Sequence, residues 1–289
     1  MSKSIKQLRN DLTILNEKIK DLATNLQDLY CHYFENLSAV IKRQLTVATY
    51  QICTQKYPTA FLDLSYQKRY DLQQKIKGLE TVFKEDLFKA LSLIDLSNNQ
   101  VIQEFYSKII KAISEEEISS QKNLSDVEIT ENNQTDLTKE EELDSQDLIK
   151  LQLDIEDCLE ECLTNISHRA NKYLQEAHIL PDKIPSKIIE MALQAEENTS
   201  LVSGAPNLLS LLIEREDKSD HNIDITPIVA VCLRLTEIEF NDPSLNVIRQ
   251  KINTFLKQLD ELDNEYQRKR QKYSIALAES AWRSSWNEE

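Results

Sequence analysis

IKQLRNDLTILNEKIKDLATNLQDLYCHY, residues 5–33, carries apolar side chains at Ile5, Leu8, Leu12, Leu15, Ile19, Leu22, Leu26, Leu29 and Tyr33, in steps that alternate between three and four. A mean step of 3.5 residues draws a narrow apolar stripe along one side of a helix, the pattern of a coiled coil. At 1.5 Å per residue the stripe is about 43 Å long. Leu245, Ile248, Ile252, Phe255, Leu259, Leu262 and Tyr266 repeat the alternation towards the other end of the chain. Each stripe requires a partner helix. Two stripes of similar length in one chain can satisfy each other, antiparallel, or can pair between two chains to give a homodimer; intramolecular pairing is slightly favoured because it carries no concentration cost.

Working outward, the stripe widens past Tyr33 to take in Phe34, Leu37, Val40, Ile41, Leu45, Ala48 and Ile52, which suits packing against several helices. The first helix is expected from Ser4 to about Lys56, because Pro58 disfavours helical geometry at Tyr57. Ser65 is placed to cap a second helix carrying Leu72, Ile76, Leu79, Phe83 and Leu87, and Asn98-Asn99 separates it from a third with Phe105, Ile109 and Ile113. Helical periodicity resumes at Leu148 and runs through Leu151, Ile155, Cys158, Cys162, Ile166 and Ala170. Short helices are predicted at Ser186 to Glu197 and Asn207 to Ile213, with a charged loop from Glu214 to Asn222. Thr226-Pro227 and Asp242-Pro243 both read as helix starts, a capping residue followed by proline at the first helical position.

The predicted fold is therefore all-α, with long N- and C-terminal helices forming a coiled-coil element, a bundle of shorter helices and a disordered acidic insertion. The expected divisions are 1–113, an N-terminal coiled-coil helix and helical segment; 114–147, an acidic linker; 148–241, a helical bundle; and 242–289, a C-terminal coiled-coil helix with a tryptophan-bearing tail. Residues 114–147 hold twelve acids and two lysines, a local charge of −10 out of −15 for the chain. Few apolar groups and strong self-repulsion leave such a segment unable to bury a core. The acidity is local and says little about partners of the folded part.

Composition removes several function classes. Only two glycines, Gly78 and Gly204, are present, and neither a dinucleotide-binding nor a phosphate-loop fingerprint occurs. Five cysteines (Cys31, Cys53, Cys158, Cys162, Cys232) sit within helical patterns, read as small buried hydrophobes of a reducing, cytoplasmic compartment. The first thirty residues are charged and amphipathic, without a secretory h-region. No apolar run approaches the ~20 residues that cross a bilayer, so no integral membrane association is expected.

Candidate chemistry is sparse. Cys158 and Cys162 share a helix face, but a zinc site needs two further ligands at recognisable spacing. None of His32, His168, His178 and His221 has a glutamate three residues before it, against a di-iron bundle. No serine or cysteine has a nucleophile-elbow context. The reading is of a non-enzyme: no residue is assigned as catalytic, cofactor-binding or metal-ligating, and no cofactor is expected.

Two features suggest contacts. Arg268, Lys269, Arg270 and Lys272 form the densest basic cluster, though four bases on an acidic chain are weak grounds for binding nucleic acid or anionic lipid. Trp282 and Trp286, the only tryptophans, lie four apart and so share one helix face with Arg283 nearby. Trp282 is nine residues, about 900° at 100° per residue, beyond the stripe position Tyr273 and therefore faces away from it. Tryptophan is enriched in binding hot spots, so Trp282, Arg283 and Trp286 are a candidate docking motif for a protein partner, unless they pack on the protein's own bundle. The function expected is a non-catalytic scaffold or adaptor presenting helical surfaces, with a peripheral nucleic-acid- or membrane-surface protein using residues 268–272 as the alternative.

Four stretches resemble a group of uncharacterised cyanobacterial proteins: Tyr50-Gln51-Ile52-Cys53-Thr54-Gln55 with Tyr57-Pro58, Ser203 to Leu209, Glu237-Ile238-Glu239-Phe240, and Ala281-Trp282-Arg283-Ser284-Ser285-Trp286. The resemblance implies a bacterial, cytoplasmic setting and brings no function with it.

Overall fold

In a computed structural model the described residues are 5–94, 100–118, 145–181, 205–216 and 223–286. The elements are α1 (Ile5–Gln51), a π-helical turn (Ile52–Lys56), α2 (Pro58–Asp63), α3 (Tyr66–Leu91), α4 (Gln100–Ile118), α5 (Ser145–Glu176), β1 (Leu208–Glu216), β2 (Ile223–Val231), α6 (Leu235–Asn241) and α7 (Pro243–Trp286). Among the described residues the fold is all-α apart from one two-stranded antiparallel sheet. Residues 119–144 of the expected acidic linker, the expected helix Ser186 to Glu197 and the Asn98-Asn99 break lie outside the described residues. At the linker's edges helix continues to Ile118 and begins again at Ser145. The chain divides into two compact units.

One unit comprises residues up to Phe34, Ile94 to Asp154 and Val247 onward. Its core is the predicted stripe. Leu8, Leu15, Ile19, Leu22, Leu26 and Tyr33 of α1 are buried, as are Ile252, Leu259 and Tyr266 of α7, and Phe105, Ile109 and Ile113 of α4 join them. Lys269 on α7 pairs with Asp11 on α1 at 3.6 Å, and Arg249 donates to the Tyr33 hydroxyl at 3.2 Å with its guanidinium 5.0 Å above that ring. Position 11 meets 269 and position 33 meets 249, so the helices run antiparallel, within one chain. On α4, Phe105 meets Tyr30 edge-on at 5.9 Å. The buried Gln27 donates to the Glu104 carbonyl at 2.9 Å and accepts from Lys108 at 2.8 Å, which sets α4 beside α1 in the same direction.

The other unit comprises Glu35 to Leu93 and Ile155 to Asn246. Its part of α1 buries Leu37, Ile41, Leu45 and Ala48, α3 buries Leu72, Ile76, Leu79, Phe83 and Leu87, and α5 buries Ile155, Leu159, Leu163, Ile166 and Leu174. Ion pairs Lys75–Glu176 (3.2 Å) and Arg169–Asp86 (3.3 Å) align α3 antiparallel to α5. The Ser65 side chain accepts from the Lys68 amide and starts α3 as predicted. Gly78 sits exposed inside α3 with no atom within 4 Å of an added Cβ. Gly78→Ala should therefore stabilise the protein by about 0.5–1 kcal/mol, a rise of about 2 °C in Tm by calorimetry.

The sheet corrects three sequence expectations. The predicted helix from Asn207 to Ile213 is strand from Leu208, the charged loop expected from Glu214 is still β1 up to Glu216, and Thr226-Pro227, read as a helix start, lies inside β2; helix resumes at Leu235. Short apolar runs do not distinguish strand from buried helix by period alone. The Cys232 amide donates to the Asn207 carbonyl at 3.0 Å, which makes 207 and 232 a hydrogen-bonded pair. Along the register, Leu208↔Val231, Ser210↔Val229 and Leu212↔Pro227 are then the alternate, non-hydrogen-bonded pairs. The backbone groups of 227, 229 and 231 point away from β1, so Pro227 deprives the ladder of no donor. That open edge is covered by side chains. Tyr57 Oη accepts from the Val229 amide (3.0 Å), Asn171 both accepts from the Val231 amide (2.8 Å) and donates to its carbonyl (2.9 Å), and Ser167 Oγ accepts from the Leu233 amide (2.9 Å).

Candidate interaction surface and cleft

α7 is set going by a strong cap. Asp242 accepts from the amides of Ser244 (3.1 Å) and Leu245 (3.0 Å), proline occupies the first helical position, and Arg43 pairs with the same carboxylate. Burial alone would raise the Asp242 pKa. Hydrogen bonds from Ser244, Leu245 and Arg43 outweigh it and hold the carboxyl below its ordinary value.

Beyond the cap, Leu245, Ile252, Leu259 and Tyr266 are buried and Ile248, Phe255 and Leu262 half-buried, as a seam requires. Past Ala276, residues 277–286 of α7 are all exposed. Trp282 and Trp286 are 66% and 72% exposed, with ring centroids 5.5 Å apart in a stacked arrangement. Among the described residues Arg283 pairs within its own helix, with Glu279 at 3.7 Å. Ile275, seven residues before Trp282, is also exposed on this face. The candidate motif Trp282, Arg283, Trp286 is thus presented to solvent.

The basic cluster is less available than its sequence suggests. Lys269 is held by Glu265 (2.8 Å) and Asp11 (3.6 Å). The hydrogen bond with Glu265 raises the lysine pKa and lowers that of the glutamate. Arg268 and Lys272 are exposed on the tryptophan side of the helix, where Glu261 and Glu279 accompany them. This face carries mixed charge.

In the second unit a cleft of about 370 Å³ opens where α1 gives way to the π-helical turn. The turn ends at Tyr57, whose amide donates five residues back to the Ile52 carbonyl at 2.9 Å before Pro58 begins α2. The cleft is floored by the buried Cys53, Leu72, Ile76 and Leu174 and rimmed by Thr46, Tyr50, Thr54, Phe61, Gln73 and Lys77. The sequence had Cys53 as a small buried hydrophobe within a helical pattern and gave no sign of a cavity. The one available signal was the break forced by Pro58.

Burial pushes the Cys53 thiol up to about 11. Burial, then the charges of Asp86, Cys158 and Glu161, push Cys162 up to about 12. Both thiols are protonated near neutral pH and are poor nucleophiles. Cys158 and Cys162 lie on one face of α5, the first half-buried and the second buried. Among the described residues, no group of three or more His, Cys, Asp or Glu is placed to hold a metal ion. No helix is long and apolar enough to cross a membrane, among the described residues.

No family model, curated protein or solved structure matches this chain.

Proposed function

We propose that the protein is a non-catalytic scaffold or adaptor, in a bacterial cytoplasm, that offers a helical surface to a protein partner through Trp282, Arg283 and Trp286. The observation carrying this reading is the stacked tryptophan pair on the last turns of α7, where residues 277–286 are all exposed. The seam is consumed by α1 of the same chain, so a further partner must use another face. Two large aromatics kept in water contribute nothing to folding there, whereas they supply rigid contact area when a partner covers them.

The test is a Trp282→Ala, Trp286→Ala double variant of the full chain. The expected result is an unchanged thermal midpoint, since exposed substitutions stay within about 0.5 kcal/mol. Partner affinity should fall by about 30-fold or more, the loss of at least ~2 kcal/mol typical of a hot-spot tryptophan. Unfolding, or capture of the same partner at the same affinity, would show that the pair serves the fold or nothing. Mass measured in solution for both forms identifies a second copy of the chain as the partner if only the parent protein dimerises.

The alternative, a nucleic-acid- or membrane-surface role for residues 268–272, draws support from Arg268 and Lys272 sharing the tryptophan face. Binding of that kind weakens steeply between low and moderate salt; apolar docking does not.

A further inference from the structure

The cleft beside the π-helical turn is distinct from the tryptophan face and has the chemistry of a ligand site. A π-turn inserts one extra residue into the helical ladder, and such insertions are frequent at functional sites. Here it turns both Ile52 and Cys53 inward and opens about 370 Å³ against Leu72, Ile76 and Leu174, within the range of small-molecule pockets.

The polar groups around it narrow the ligand class. Hydroxyls of Thr46, Thr49 and Thr54 already donate to the carbonyls of Lys42, Leu45 and Tyr50 at 2.7–2.8 Å, so they bring no free donor to the cleft. The lining contains no carboxylate. Its single charge is Lys77, exposed at the rim and without an ion pair among the described residues. An apolar floor beneath one exposed ammonium fits an apolar body with one negative head.

We infer that this cleft binds a single-chain carboxylate amphiphile, with its chain on Cys53, Leu72, Ile76 and Leu174 and its carboxylate at Lys77. The probe is decanoate below its micelle concentration, titrated calorimetrically into the full chain, with decanol as the uncharged control. Saturable one-to-one binding of decanoate is expected. Lys77→Gln should weaken decanoate about fivefold or more while leaving decanol unchanged, and Lys77→Arg should restore it. Thr54→Trp, at the exposed rim, should block both probes. Absence of saturable binding, an equal effect of Lys77→Gln on both probes, or full binding by Thr54→Trp would overturn the assignment. If Thr54→Trp does not fold, the parent protein decides: saturating decanoate must slow amide hydrogen exchange in residues 50–56 and 72–77, and unchanged exchange there refutes the site.

Discussion

Ile252→Asp should collapse the α1–α7 pairing, with a loss of stability of about 4 kcal/mol or more. Ile252 is fully buried at the middle of the α7 seam. Its transfer from water contributes about 1.5–3 kcal/mol, which the substitution forfeits. A carboxylate in the same place is taken out of water and must either stay charged in an apolar medium or bind a proton, at a further cost of several kcal/mol. Ile14→Asp is the matched control, because Ile14 lies on α1 but 43% exposed, off the seam; it should change stability by less than about 0.5 kcal/mol. Urea titration followed by circular dichroism distinguishes the two, and hydrogen exchange shows whether the loss is confined to the unit that α1 and α7 build. Because the stripe is covered within the chain, the parent midpoint should not depend on protein concentration. A concentration-dependent midpoint that Ile252→Asp abolishes would mean that the seam pairs between chains instead.

Asn171→Leu should be nearly as damaging, although it exchanges a polar for an apolar side chain of similar size inside the protein. Asn171 is 2% exposed and does for β2 what a third strand would do, bonding both the amide and the carbonyl of Val231. Leucine leaves both backbone groups buried without a partner, at about 1–3 kcal/mol each, for a total of roughly 3 kcal/mol. Asn165, exposed on the same helix, is the control, and its leucine variant should melt with the parent. If Asn171→Leu proves neutral, the edge of β2 is finding water or another partner. The strands would then not depend on α5 for their completion.

These two positions also mark what the sequence discloses and what it withholds. Ile252 was legible because a seam needs only period, and a step of 3.5 residues sustained from Ile5 to Tyr33 and from Leu245 to Tyr266 has few alternative readings. The caps at Ser65 and Asp242 were legible for a related reason: each acts within three residues of itself. The sheet was not. Leu208 to Ile213 is apolar without a decisive period, and the Thr226-Pro227 pair imitates a helix start. The better signal was composition, since Ile223, Ile225, Thr226, Ile228, Val229 and Val231 make six β-branched residues in nine. Asn171 itself could not be foreseen, because its role depends on a backbone sixty residues away. That Trp282 and Trp286 share a face followed from their spacing of four; their exposure did not, because spacing leaves packing on the protein's own bundle open. The cleft did not follow, because a π-turn shifts that phase without any change in residue type.

Gln27 carries a consequence for fidelity. A stripe made only of leucine and isoleucine is indifferent to sliding by one heptad, since every rung offers much the same surface. One buried amide beside that stripe, satisfied when Glu104 and Lys108 stand next to it, makes every slipped alignment of α4 strand a polar group in oil. The helix is thereby locked at one station along its track, a choice that added greasiness could strengthen in energy but never in selectivity.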